Sequence, residues 1–167
     1  MKKFLLVLAV VFGLSATAMA QQKGDAFIGG AIGFSAGTDS ATSFGLAVEG
    51  GGFVANRLAL SGEVAYNLVA GEINVITVGP KLSYYARLAD KFYYTPGVSV
   101  VGAYVNVGGA DTGNIGVGLD LAAFEFRPTQ HFGMKVNLFS MSAMFNNGFS
   151  FSADMMMNTS VSFRYYF

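Results

Sequence analysis

Residues 58–68, LALSGEVAYNL, carry the clearest structural pattern of the chain. Its even-numbered positions are apolar apart from one glycine, whereas its odd-numbered positions are small or polar, with Glu63 at the centre. A period of two indicates a β-strand, because successive side chains of a strand point to opposite faces. The run VITVGPKLSYYARL, residues 75–88, repeats the pattern and places Lys81 on the polar face. Each strand therefore has one greasy face and one small or polar face.

The same alternation continues in both directions and predicts eight strands. Each is long enough to cross a bilayer as a tilted strand of about 9 to 11 residues. The alternation changes phase near Ala122-Ala123 and near Leu138-Phe139, where we predict β-bulges. The eight predicted strands are Ala26–Ser35, Ser43–Val54, Leu58–Leu68, Val75–Leu88, Phe92–Val107, Ile115–Arg127, His131–Phe145 and Phe151–Phe167.

The predicted connections alternate in length. Short turns are expected at residues 55–57, 89–91 and 128–130, and longer loops at 36–42, 69–74, 108–114 and 146–150. Short turns at one end and longer loops at the other are typical of outer-membrane barrels, with the short turns in the periplasm. The sequence therefore predicts an all-β fold, an eight-stranded antiparallel up-and-down transmembrane β-barrel.

The charged residues indicate which face meets lipid. In this register ten of them fall on the polar faces, and the others lie in turns, loops or the lead before the first strand. A lysine or arginine on the lipid face near the midplane costs about 2–4 kcal/mol, so a spanning barrel needs such a charge-free face. A soluble β-sandwich is the alternative, but it would leave large apolar patches in water. The predicted interior charge network is Glu49, Glu63, Lys81, Arg87, Asp120, Glu125, Arg127, Lys135, Asp154 and Arg164.

The first twenty residues have the layout of a cleaved signal peptide. Two lysines precede an apolar run that is too short for a membrane-spanning helix, and Ala18 and Ala20 stand before Gln21 at the expected cleavage site. We therefore expect residues 1–20 to be removed and residues 21–167 to form the barrel domain. The mature part keeps eight basic and ten acidic residues, a balance that gives no footprint for nucleic acid.

The last strand ends VSFRYYF, residues 161–167. It resembles the C-terminal assembly signal of outer-membrane proteins, with Val161, Phe163, Tyr165 and Phe167 at alternate positions. The stretch FYYTPGV, residues 92–98, resembles a middle strand of the small outer-membrane β-barrel family, the "porin family" that includes OmpX, OmpW and the barrel half of OmpA. The resemblance implies a location in the Gram-negative outer membrane, insertion by the barrel-assembly machinery after escort by periplasmic chaperones, and contact with lipid and lipopolysaccharide.

The interior is expected to be a polar core without an open channel, because a barrel of eight strands is about filled by its own side chains. Counting from the turns places Glu49 opposite Glu63, and we expect Lys81 to reach this pair, with Arg164 or Lys135 arriving across the lumen. The alternative is a proton or cation site at the acidic pair. We expect bulky side chains to fill the lumen against the small inner wall of the first two strands, the alternative being a narrow water path or a ligand pocket. The residues of that wall are Gly29, Ala31, Gly33, Gly45, Ala47 and Gly51, and the expected fillers are Tyr85, Tyr93 and Tyr166.

Catalysis is not expected. The single histidine, His131, lies beside a periplasmic turn, no cluster has metal-ligand spacing, and a copper site at the methionine run 155–157 is the weakest alternative. Aromatic residues at strand ends, including Phe53, suit interfacial girdles. We expect a monomeric, non-enzymatic barrel without cofactors or metals, with a structural, envelope-integrity or surface-interaction role. The alternative is a narrow passive pore or a conduit for small solutes or small apolar molecules.

Overall fold

The computed structural model describes residues 23–35, 42–69, 72–145 and 149–167. In these ranges the chain forms ten β-strands that all pair in the antiparallel sense. No helix in the described ranges is long and apolar enough to cross a membrane. The strands are β1 (Ala26–Ser35), β2 (Ser43–Ala55), β3 (Leu58–Val69), β4 (Ile73–Tyr84), β5 (Ala86–Ala89), β6 (Phe92–Tyr94), β7 (Gly97–Val107), β8 (Ala110–Phe126), β9 (Phe132–Phe145) and β10 (Phe149–Tyr166).

The ten strands build a closed barrel of eight walls, where each wall is one strand or two consecutive strands in line. Each strand pairs with its neighbour in the chain, except that β4 pairs with β7, and β6 with β8. The segments β4 and β5 together make one wall, and β6 and β7 make the next. The ring closes because β1 pairs with both β2 and β10, from Phe27 opposite Tyr166 to Ile32 opposite Val161. The eight-stranded antiparallel barrel predicted from the sequence is confirmed.

The two interrupted walls differ from the single runs that the alternation predicted. Regular pairing stops at Ser83 opposite Gly97 and resumes at Ala86 opposite Tyr94. Pro96 lies in this gap and has no amide hydrogen to donate. The amides on the facing strand stay paired: Tyr84 donates to the carbonyl of Pro96 at 2.9 Å, and Tyr85 donates to the carbonyl of Arg57 at 2.8 Å, which continues the pairing with β3.

The connections correct the predicted loop lengths. Two loops predicted as long are short, because β4 already begins at Ile73 and β8 at Ala110. Gly108 and Gly109 alone join β7 to β8, and both have positive φ angles (56° and 90°), which suits a two-residue hairpin turn. The five residues 127–131 between β8 and β9, at the opposite end, form a longer connection than the predicted 128–130. The contrast between short turns and long loops is therefore weaker than the sequence suggested, and residues 36–41 lie outside the described ranges.

Both predicted phase slips are confirmed as breaks in the pairing of β8 with β9. The register shifts around Ala122, so that Ala122 faces Phe139 while Ala123 faces Asn137. A further shift in β10, between Met155 and Ser160, was not predicted.

The outward face of the barrel is apolar. Val48, Val64 and Val78 are paired side by side across β2, β3 and β4, and each is more than half exposed (60, 55 and 56%). Their chain neighbours Glu49 and Glu63 alternate with them and belong to the inner face. The predicted sorting of faces is therefore seen along these three strands. The proposed signal peptide and its cleavage site at Ala18, Ala20 and Gln21 lie outside the described residues.

Candidate functional site

Arg164 is the centre of the barrel interior. It is 2% exposed, and its guanidinium forms ion pairs with Glu49 on β2 and with Glu125 on β8, the latter at 2.8 Å. It also donates to the hydroxyl of Tyr85. Glu49 accepts a second hydrogen bond from the Ser61 hydroxyl at 2.7 Å. Arg164 thus ties its own strand, β10, to three other walls of the barrel across the lumen.

Aromatic rings surround this cluster on the side of the chain termini. Tyr85 and Phe53 meet edge to face with their ring centroids 5.0 Å apart, and Phe27 lies 5.5 Å from Tyr166. The guanidinium carbon of Arg127 lies 3.5 Å from the ring centroid of Tyr166, a cation–π contact. The Tyr166 hydroxyl donates to Glu125. The half of the lumen nearest the chain termini, called the inner half below, is therefore filled with packed side chains.

The sequence did not predict the role of two of these rings. Phe53 was expected at a membrane interface, but it is 3% exposed and packs inside. Phe27, also 3% exposed, was not identified as a filler. Both lie on the inward phase of their strands, and that phase was the signal that could have found them.

A second ionic cluster adjoins the first in the interior, since Lys135 is paired with Glu125 in the β8–β9 register. Lys81 on β4 is paired with Asp120 on β8, and the ammonium of Lys135 lies 3.6 Å from the same carboxylate. Asn137 donates to Asp120 at 2.8 Å, while its own side-chain oxygen is buried without a hydrogen-bond partner among the described residues. Two cations therefore share one carboxylate here.

The two acidic residues predicted to lie opposite each other, Glu49 and Glu63, do lie side by side, but their surroundings differ. Glu49 and Glu63 are directly opposite in the β2–β3 register. Lys81 faces Ser61 and lies two residues along β4 from the position opposite Glu63. Its ion pair is with Asp120 and not with either carboxylate of the acidic pair. Within the described part of the chain, Glu49 is neutralised by Arg164 and no cation lies within 4 Å of Glu63. Lys81 interacts with both carboxylates through space but forms its ion pair with Asp120, whereas the predicted arrival of Arg164 across the lumen is confirmed for Glu49.

Two other members of the predicted network are not found in it: Arg87 lies outside the lumen, and the side chain of Asp154 lies outside the described residues. Arg87 does not join the interior network: its side chain is 42% exposed and pairs with Asp90 at 2.8 Å. The physical reason is its position three residues from the turn, where the strand leaves the enclosed lumen. Arg127, by contrast, is buried, 3.8 Å from Glu125. The side chain of Asp154, like the methionine run 155–157, lies outside the described residues.

A cavity of about 260 Å³ occupies the outer half of the lumen. The cavity is closed at its inner end by the layer of ion pairs. Towards the other end it extends past Gly33, Gly45 and Asn67, each of which lies two residues from the outer end of its strand. Residues 36–41 and 70–71, which join these strands, lie outside the described ranges. The barrel is thus packed in its inner half and hollow in its outer half.

The glycines of the small wall have different roles in these two halves. A Cβ atom on Gly29 would lie 2.8 Å from the Cγ atom of Arg164, so only glycine lets the arginine cross at that level. A Cβ atom on Gly33, nearer the outer end, would meet nothing within 4 Å. The steric interpretation therefore holds for Gly29 and also for Gly45, where a Cβ atom would collide with the side-chain oxygen of Asn67, whereas Gly33 borders an open pocket.

The C-terminal residues of the expected assembly signal lie along the outer surface. Phe163, Tyr165 and Phe167 are 47, 50 and 71% exposed. Phe163 stacks on Phe132 of β9, with the ring centroids 6.1 Å apart. His131 contacts the same edge, with its Nδ1 2.9 Å from the carbonyl oxygen of Tyr166.

Neither a protein-family profile nor a curated protein sequence matches this chain. Solved structures do match. Neisserial surface protein A is 14% identical, with a TM-score of 0.56, and the match covers 84% of this chain and 95% of that one. The N-terminal β-barrel domain of Pseudomonas aeruginosa OprF is 13% identical, with a TM-score of 0.50, over 88% of this chain and 100% of that one. The chain therefore has the fold of the small outer-membrane β-barrels.

Proposed function

We propose that this chain is an integral protein of the bacterial outer membrane, a non-enzymatic barrel that contributes to the structure and integrity of the envelope. The apolar outward face supports this proposal. Val48 and Val64 are exposed, whereas the charged side chains of Glu49 and Arg164 are buried inside. Such a surface is stable in lipid and would be an aggregation hazard in water.

The observation that carries the non-conducting role is the packing around Arg164. Arg164, Tyr85 and Glu125 are each no more than 2% exposed, and they meet across the full width of the lumen. Separating them would leave buried charges unpaired, which is costly in a low-dielectric interior. This barrel therefore offers no continuous water path through its inner half.

The partners that follow from this role are membrane components. Exposed aromatics at the C-terminal edge, such as Phe163 and Tyr165, suit the interface between hydrocarbon and headgroups. We expect lipid and lipopolysaccharide around the barrel, periplasmic chaperones and the barrel-assembly machinery during insertion, and a monomer afterwards.

A narrow passive pore is the second candidate, and the hollow outer half favours it. The cavity of about 260 Å³ already leads from the outer strand ends to the charged layer. Conduction would then require only a rearrangement of the inner cluster.

Single-channel conductance of the refolded mature chain in a planar bilayer tests the two roles. A shift between heated and unheated samples on a gel first establishes that a closed barrel has formed. We expect no steady current from the wild type and from Tyr84→Ala, whose side chain points outward and is 46% exposed. Discrete, salt-dependent steps in the wild type that change with Glu63→Gln would instead establish a pore.

A further inference from the structure

The two ends of the barrel carry opposite charge. The inner rim, at the end with the chain termini, has five basic and two acidic side chains, whereas the outer rim has three acidic side chains and no lysine or arginine. The inner rim therefore attracts anions and the outer rim repels them. The inner rim comprises residues 23–25, 55–57, 87–91 and 127–131, and the outer rim comprises residues 36–42, 69–74, 108–114 and 146–150.

The unpaired cations of the inner rim lie around the turn that joins β2 to β3. Arg57 is in this turn, and Lys23 lies beside it, because the amide of Lys23 donates to the side-chain oxygen of Asn56 at 3.2 Å. Both residues are exposed. Within the described part of the chain no carboxylate lies within 4 Å of either cation. Two positive charges are thus left available at one place on the rim.

Arg57 has a backbone conformation that glycine adopts more easily. Its φ angle is 66°, in the left-handed region that side chains disfavour. Glycine or asparagine is the usual residue at such a position of a tight turn. Residues held in sparsely populated conformations cluster at functional sites. The strained turn therefore points to a role for the exposed arginine side chain itself.

The turn lies at the level of the membrane interface. Leu58, which follows Arg57, is paired with Tyr84, an outward residue that is 46% exposed. Outward tyrosines are typical of the boundary between hydrocarbon and headgroups. Arg57 lies one residue beyond this level, at the depth of the lipid phosphates.

The chemistry of the two side chains suits a phosphodiester group. A guanidinium can donate two parallel hydrogen bonds to phosphate oxygens, and an ammonium adds a second positive charge. The phosphate of a zwitterionic lipid is already offset by a cation in its own headgroup. Basic residues next to a membrane therefore favour lipids with net negative charge.

We propose that the turn between β2 and β3, together with Lys23, binds the headgroup of an anionic phospholipid in the periplasmic leaflet. Arg57 binds the phosphate, and Lys23 supplies the second positive charge. This site rests on the proposed function, because it requires the barrel to span the membrane with its chain termini on the periplasmic side.

Native mass spectrometry of the refolded mature chain in non-ionic detergent tests the site. The probes are phosphatidylglycerol and phosphatidylcholine with the same acyl chains. We expect the first phosphatidylglycerol to bind at least about fivefold more tightly, since one basic side chain near an anionic headgroup is worth about this factor. Arg57→Gln or Lys23→Gln should each weaken phosphatidylglycerol binding about fivefold and leave phosphatidylcholine binding unchanged. Arg57→Lys, which keeps the charge, should keep most of the affinity.

A double variant separates the turn from the overall charge of the protein. Glu72 is exposed at the outer rim, so Arg57→Gln combined with Glu72→Gln restores the net charge of the wild type. We expect this double variant to bind phosphatidylglycerol as weakly as Arg57→Gln alone. Recovery of the affinity would mean that the overall charge selects the lipid, and the proposal would be wrong.

Insertion is measured separately, by the gel shift after refolding into phosphatidylcholine vesicles with and without phosphatidylglycerol. If neither sample shows the shift, the proposed function and the lipid site both fail. If the barrel folds but binds the two lipids equally, or if Arg57→Gln keeps the preference, only the lipid site fails. Binding to isolated peptidoglycan that depends on Arg57, without a lipid preference, would assign the turn to the cell wall and overturn the proposal.

Discussion

Removing the positive charge of Arg164 is the sharpest test of the interior described here. The variant Arg164→Ala leaves Glu49 and Glu125 buried without their shared cation. Glu49 keeps the Ser61 hydroxyl as a donor, and Glu125 keeps the Tyr166 hydroxyl and the guanidinium of Arg127, 3.8 Å away. Breaking a buried ion pair by deleting one partner costs about 3–5 kcal/mol. Because Glu49 keeps a donor and Glu125 keeps both a donor and a cation, we expect a loss of unfolding free energy within this range and not twice as large.

The assay is denaturant unfolding of the protein refolded into lipid vesicles, followed by far-ultraviolet circular dichroism and by the gel shift. The control is Arg87→Ala, which removes an exposed arginine paired with Asp90 and should cost less than about 1 kcal/mol. The double variant Glu49→Gln with Arg164→Met removes two of the charges and should recover part of the loss. If Arg164→Ala is no more destabilising than Arg87→Ala, the interior ion pairs do not hold the walls together and the reasoning is refuted.

Two further predictions concern the two faces of the barrel wall. Gly29→Ala places a Cβ atom 2.8 Å from the Cγ atom of Arg164 and should destabilise the barrel by about 1–3 kcal/mol in the same unfolding assay. The control is Gly50→Ala, whose added carbon meets nothing within 4 Å and should change the unfolding free energy little. Equal effects of the two variants would contradict the steric argument. Val64→Arg puts a charge on the exposed apolar face and should cost about 2–4 kcal/mol in vesicles relative to Val64→Ala. Equal stability of these two variants would mean that residue 64 does not meet the hydrocarbon.

The architecture was predictable because it depends on a local rule. Alternation along each strand separates Val64 from Glu63 whatever the rest of the chain does, since adjacent side chains of a strand must point to opposite faces. The number of walls and the bulges near Ala122 and Leu138 could be read from the same pattern. The gap around Tyr85 and Pro96 was not predicted, because the alternation of side chains continues through it, and what interrupts the pairing is the missing amide hydrogen of Pro96.

Partner choice in the interior could not be derived in the same way. Glu49 and Glu63 were correctly placed opposite each other, because the turn between their strands is short and sets the register. Lys81 is the cation nearest to Glu63 in that register. It nevertheless pairs with Asp120, which lies on a strand that is not hydrogen-bonded to the strand of Lys81. Strand order and barrel closure decide which long side chains meet across the lumen.

Local sequence patterns thus predict the strands, their inward and outward faces, and the enclosure of most of the strand charges. Contacts across the closed barrel give Arg164 its two partners, Glu49 and Glu125. They also bury Phe27 and Phe53 and leave the outer half of the lumen hollow around Glu63. The physical reason is one of distance along the chain. Alternation and turns act between residues close in sequence, whereas the filling of the lumen depends on side chains from opposite walls that the closing of the ring brings together.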